Sequence, residues 1–386
     1  MGDRWSHTVD VTVDQLSGDA HRVLADMRSR QPVAWVPQLD GWLTARRDLC
    51  VTVLRDDRTF TVDDPRFSTA RVVGPSMLSL DGAEHRRHRD PFVGPLSAAA
   101  VRSHLQDVVV DEVRRLVAEL APRGTAELRT ALAAPLAAAT MRHLLDLHGV
   151  ATEELLGWFQ SIERSVDQIT AGGGPTADGA AAFSELRIAV LENEHSSRLL
   201  GAAASGSLGP DELAANVAVM LFGGIVTTEA TMATMLHCLL ARPALLDAVR
   251  ADRSLIPGVV DETLRFEPAA AVVDRYATRP AHLADVSIDR GDLVRVSLTA
   301  ANRDPATFDD PDVFDPARPG LAKHLAFALG PHACPGTHVA RLEAAECLAA
   351  VLDLLPGLRL AAKGTGVEGL VFRAPSSVHA VWEGGG

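Results

Sequence analysis

Helical periodicity runs through most of this chain, and that pattern confines it to a mainly helical fold. Apolar residues recur at helical spacing over Val101–Leu120, Ala131–Leu147, Glu153–Ile169, Ala180–Leu191, Asp211–Leu240, Leu245–Ala251 and Ile256–Phe266, and each run predicts a helix. Clusters of Pro, Gly and Ser punctuate them at Pro122–Gly124, Gly172–Pro175 and Ser205–Pro210. Strand-like segments are few: Pro32–Trp35 with Gly41–Thr44, a set within Val272–Leu298 that includes Leu293–Leu298, and a hairpin expected in Leu370–Trp382. No internal repeat, low-complexity block or long linker divides the sequence. Residues 1–386 are therefore expected to form a single domain, mainly α with a small β region.

Composition narrows the function. An apolar share of 47% with 23% charged residues argues for a packed core. The net charge of −13 speaks against a nucleic-acid binder, whose footprint should be basic. Cys50, Cys238, Cys334 and Cys347 are widely spaced with no C-x-x-C pair, so neither a zinc site nor a disulfide framework is expected, and a reducing cytoplasm suits them. The apolar stretch Leu213–Val226 is shorter than a bilayer span and runs into two threonines, so a buried core helix and a soluble protein off the membrane are expected.

One cysteine stands in a distinctive setting, Phe327-Ala328-Leu329-Gly330-Pro331-His332-Ala333-Cys334-Pro335-Gly336. Glycines on either side let the backbone bend tightly and approach a flat group without a Cβ clash. Phe327 would shield the sulfur from water. The apolar run Val339–Leu348 predicts a helix whose N-terminal dipole favours negative charge on that sulfur. The spacing F-x-x-G-x-H-x-C-x-G resembles the haem-ligand loop of the cytochromes P450. This resemblance implies that Cys334 is the proximal thiolate ligand of haem b (iron protoporphyrin IX), with Phe327 over the sulfur, His332 reaching a haem propionate and Gly336 allowing close approach. Ala328 departs from the pattern, since many members carry glycine there; a small residue is expected to fit.

Three further motifs follow the same resemblance. Glu262 and Arg265, at i and i+3 of a predicted helix, can pair. With Arg318 they resemble the family's structural Glu–Arg–Arg network. Glu84-His85-Arg86-Arg87-His88-Arg89 resembles the H-x-x-x-R helix, which implies that His85 and Arg89 bind haem propionates; Arg275 matches a third such position. Leu221-Phe222-Gly223-Gly224-Ile225-Val226-Thr227-Thr228-Glu229 resembles the helix that crosses the distal face of the haem. There Gly223 and Gly224 are expected to open the helix locally, and Thr227 to place its hydroxyl on the oxygen side. Blandly read, Thr227 bonds back to an i−4 carbonyl. Where the family carries an acid this chain has Val226, which cannot relay protons; Glu229, three residues on, is expected to be structural.

The resemblance implies a monooxygenase acting on a moderately apolar small molecule of bacterial specialised metabolism, with electrons from a ferredoxin and its reductase. Arg86 and Arg87 are candidates for a basic dock. The substrate is expected to meet Val72–Leu80, Gln168–Phe183, Met220, Phe222, Ala269–Val273 and Ser376–Ser377, with Gly172–Gly174 free to flex. Val226 motivates a second reading, a haem–thiolate enzyme with other oxygen or proton handling: peroxide, nitric oxide, coupling or isomerisation. A non-catalytic haem protein is the third.

Overall fold

The computed structural model describes residues 6–147, 149–170, 174–193, 197–205, 208–361 and 366–384. Its axis is the helix Pro210–Leu240, 31 residues and about 46 Å long. Pro210 stands at its first turn, where a missing N–H costs nothing, and the Glu212 carboxylate turns back to accept the Gly209 N–H at 2.9 Å. Nearly every later position is buried. A helix apolar on all sides must be covered on all sides. The helices Ala134–Leu144, Thr337–Leu354, Ala177–Asn193 and Ile256–Phe266 do this. Among the described residues it is the one helix long and apolar enough to cross a membrane, and 78% of its most apolar window is buried inside the protein.

Ile256–Phe266 forms as the periodicity predicts. The run expected over Val101–Leu120 is two helices, Ala98–His104 and Gln106–Leu120, meeting at buried Leu105. The run expected from Ala131 starts as a π-helical turn, Arg129–Ala133, before Ala134–Leu144. Pro135 lies at that junction and cannot donate to an i−4 carbonyl, which the wider turn accommodates. Short amphipathic helices at Val13–Ser17, Ala20–Arg30, Arg47–Arg55 and Arg198–Ser205 escaped the periodicity reading.

The strands are β1 (Val33–Val36), β2 (Gly41–Thr44), β3 (Phe60–Thr61), β4 (Thr125–Glu127), β5 (Val272–Ala277), β6 (Ala281–Leu283), β7 (Val286–Ile288) and β8 (Leu293–Ser297). Near the C-terminus come β9 (Arg359–Leu360), β10 (Val367–Glu368), β11 (Ala374–Pro375) and β12 (His379–Val381). The main sheet runs β1-β2-β8-β5-β3, with β2 parallel to β8 and the other neighbours antiparallel. The hairpin expected in Leu370–Trp382 is not made. Instead β11 pairs with β10, while β12 lies between β4 and β9. Pro375 lacks the N–H that would extend a ladder from β11 toward β12.

Candidate active site

The cysteine loop is built around two left-handed residues. Gly330 has φ +78°, and a Cβ there would lie 2.3 Å from the Leu54 carbonyl oxygen, so only glycine fits. Ala328 also takes positive φ, +53°, the position where glycine was the expected residue. Its methyl is accommodated, but in a conformation that L-residues avoid. The Cys334 N–H donates to the Phe327 carbonyl at 2.8 Å and the Thr337 hydroxyl to the Cys334 carbonyl at 3.0 Å, which closes the loop onto the helix Thr337–Leu354.

The Cys334 side chain is exposed, and it lines the cavity described below. Burial in the surrounding protein raises its thiol pKa; the Gly336 N–H and the Arg89 guanidinium act the other way. Phe327 flanks the sulfur on the same wall, its ring covered by Arg341 at 4.9 Å, and Arg341 is anchored to Asp261 at 2.7 Å.

The cavity is about 590 Å³, with Cys334, Ala328 and Gly336 on one wall and Gly223, Gly224 and Thr227 of the central helix among its other lining residues. Arg89, Arg275 and His332 also line it. Buried Arg275 donates to the Asp274 carbonyl at 2.8 Å, and Arg89 to the Ala333 carbonyl. Among the described residues neither has a carboxylate partner, and burial lowers the pKa of both. Buried His85 leaves Nε2 without a partner among the described residues; burial first, then His332 and Arg89, bring its pKa down to about 4. His332 stacks on it at 4.2 Å and binds Asp81 through Nε2 at 2.7 Å. Cations without carboxylate partners, one of them buried, beside an imidazole nitrogen with no partner suit a group carrying carboxylates. The donor set fits haem.

On the helix side the expected local opening is absent: Gly223 and Gly224 continue the helix. Gly223 faces open space, whereas Gly224 is pressed against Met141, whose sulfur would stand 2.3 Å from an added Cβ. Thr227 lines the cavity and its hydroxyl donates to the Gly223 carbonyl at 2.5 Å, the bland i−4 bond. Val226 packs into the hydrophobic core instead of facing the cavity. Glu229 pairs with Arg129 at 2.7 Å, the structural role expected.

Behind the site, Arg265 grips Glu262 through two bonds of 2.6 and 2.7 Å, both side chains fully buried, and Arg318 adds a third contact at 3.5 Å. The basic dock is half lost: Arg86 is exposed, but Arg87 is held by Glu84 and Glu212. Of the expected contacts the cavity meets Met77 and Leu78 within Val72–Leu80, only Ile169 within Gln168–Phe183, and Met220, Phe222, Ala269, Ala270, Val272 and Val273, with Ala271 behind the wall. Ser376–Ser377 are not in its lining; Val371 and Phe372 are, because Ala271 N–H bonds to the Val371 carbonyl at 2.8 Å and Arg373 N–H to the Ala269 carbonyl at 2.9 Å. Gly172 and Gly173 lie outside the described residues. Sequence reasoning missed Met141, Arg129, His88 and Asn216, whose partners are distant in the chain and leave no local signal.

Residues 191–355 match the family model described as Cytochrome P450. Cytochrome P450 107B1 of Saccharopolyspora erythraea is 31% identical over 379 residues, covering 90% of this chain and 91% of that protein. Nocardicin C N-oxygenase of Nocardia uniformis subsp. tsuyamanensis is 30% identical over 397 residues, covering 96% and 97%. The crystal structure of CalO2 superposes with a TM-score of 0.86 at 26% identity, over 98% of this chain and all of that one (100%). Fold, cysteine loop and relatives define a haem–thiolate oxidoreductase of the monooxygenase type. The chain belongs to the cytochrome P450 family.

Proposed function

We propose that this chain, working as one domain, binds haem b and hydroxylates, epoxidises or otherwise oxidises a moderately apolar small molecule of bacterial specialised metabolism. Ferredoxin and its reductase would supply electrons in the cytoplasm. The observation that carries this reading is the Cys334 sulfur opening into the cavity that Thr227 also lines. The chamber is lined largely by Met, Leu, Val, Ile and Phe side chains, which suits an apolar guest.

Cys334 would hold the iron as thiolate, with the Gly336 N–H tempering its charge. Arg89, Arg275 and His85 would take the propionates, and His332 is available to them once Asp81 yields it. When bound, the haem supplies the oxygen and electron chemistry. Thr227 Oγ1 would face the oxygen side as an acceptor, its lone pairs free while its own hydrogen rests on Gly223. With Val226 in the core and Glu229 tied to Arg129, protons for Thr227 must arrive through the cavity, from ordered water or a substrate hydroxyl.

Titrating the ferric protein with natural-product scaffolds tests the substrate class through the Soret band. A saturable high-spin shift followed by a hydroxylated or epoxidised product supports the proposal. Cys334→Ser should abolish the thiolate spectrum of the reduced carbon monoxide complex; an unchanged spectrum would sink the haem assignment. The buried Val226 also favours a second reading, oxidation with peroxide or nitric oxide, coupling or isomerisation, without the usual relay. Turnover with peroxide alone at the rate of the ferredoxin system would select it.

A further inference from the structure

A buried polar cluster behind the cavity wall has no part in the proposed chemistry. Asn216, in the second turn of the central helix, is fully buried, and so is His88 on the helix Gly82–Val93. Asn216 Oδ1 accepts the Met77 N–H at 2.8 Å. Its Nδ2 donates to the Glu212 carbonyl at 2.7 Å and lies 2.9 Å from His88 Nδ1.

These contacts determine where the protons are. With the amide oxygen committed to Met77, the amide nitrogen faces Glu212 and His88, so His88 Nδ1 must accept. The imidazole is then neutral with its proton on Nε2, which faces Glu212 Oε1 at 3.4 Å. Arg87 Nη2 stands 3.1 Å from the same Nε2, but its two hydrogens go to Glu84 at 2.8 Å and Glu212 at 2.5 Å. Turning the amide over would set its NH₂ against the Met77 N–H, donor to donor. Among the described residues the charged groups around His88 are Arg87 and Glu84 of its own helix and Glu212 of the central helix.

Met77 and Leu78 form part of the cavity wall. Ser76 and Leu78 direct their N–H groups to hydroxyls within this same segment, at 3.1 and 3.3 Å. The Met77 bond therefore ties the segment to the central helix.

We propose that Asn216 is a positioning residue for substrate: backed by neutral His88, it clasps the Met77 main chain and fixes the Met77–Leu78 wall, and a proton on His88 releases it. The inference rests on the reading of this cavity as the substrate chamber. A proton taken from solvent onto Nδ1 makes His88 a donor there; the amide turns to offer it Oδ1, and the Met77 N–H loses its acceptor. Burial lowers the His88 pKa, with Glu212 acting against it, so release comes below the ordinary histidine range.

The test uses haem-loaded enzyme and two probes: imidazole, which reports the iron alone, and 4-phenylimidazole, which also presses on the wall. Asn216→Ala should weaken 4-phenylimidazole about five- to tenfold near pH 8 and leave imidazole unchanged, the loss of roughly one hydrogen bond. Amide exchange over residues 75–80 should quicken. His88→Gln keeps an acceptor toward Asn216 but cannot titrate, so its 4-phenylimidazole affinity should overtake wild type as pH falls from about 8 to about 5.5. Comparing proteins at each pH cancels the probe's own titration. Equal losses for both probes, or unaltered 4-phenylimidazole binding and exchange in Asn216→Ala, would overturn the clasp. A His88→Gln profile that tracks wild type would overturn its proton control. Absence of a thiolate spectrum in wild type would instead overturn the proposed function, and exchange at residues 75–80 would still read the clasp.

Discussion

Gly224 and Met141 meet so closely that one added carbon on the glycine would stand 2.3 Å from the methionine sulfur. This contact joins the central helix to Ala134–Leu144. Gly224→Ala should therefore destabilise the protein by about 1 to 3 kcal/mol, overpacking outweighing the gain in helix propensity. One residue earlier the surroundings are open, and Gly223→Ala should stabilise by roughly 0.5 to 1 kcal/mol while placing a methyl in the cavity. Thermal unfolding of the two variants side by side checks this; equal shifts would refute it.

The cysteine loop offers an opposite pair. Ala328→Gly relieves a left-handed alanine and should raise stability by about 0.5 to 1 kcal/mol. Gly330→Ala drives a carbon into the Leu54 carbonyl and should prevent haem loading. Denaturant titration of the first and the haem content of the second are the measurements. A destabilised Ala328→Gly would show that the loop carries no strain at that position.

Glu262→Ala should cost about 3 to 5 kcal/mol, because it leaves the buried guanidinium of Arg265 without its carboxylate and takes a contact from Arg318. Soluble yield and the urea midpoint would report it. A loss below about 1 kcal/mol would mean that backbone carbonyls alone hold both arginines.

Glu343 is wholly buried on the helix Thr337–Leu354, and among the described residues neither of its oxygens has a full hydrogen-bond partner. Burial holds its carboxyl well above the usual range, with Thr140 acting weakly against this. Its folded pKa thus exceeds its unfolded one, so the folded state keeps a proton that the unfolded state releases. The associated stability is full below the ordinary glutamate range and is lost as pH rises toward the folded value. Glu343→Gln lacks that slope and should gain on wild type steadily from about pH 4 upward. Urea unfolding across pH decides it, and a constant difference would refute the claim.

Much of the site was legible because its signals are local. The haem-loop spacing around Cys334, His85 with Arg89 at i and i+4, and Glu262 with Arg265 at i and i+3 each lie within one turn or loop, where covalent geometry brings side chains together. Periodicity likewise set the central helix, whose all-round apolar character required burial. Tertiary structure alone decided which face each residue presents and which distant partner it meets. It turned Val226 into the core, drew Val371 and Phe372 into the cavity wall, and joined Met77 to Asn216 across 139 positions. Such contacts depend on how whole helices and strands dock, and no spacing within a single segment encodes that docking.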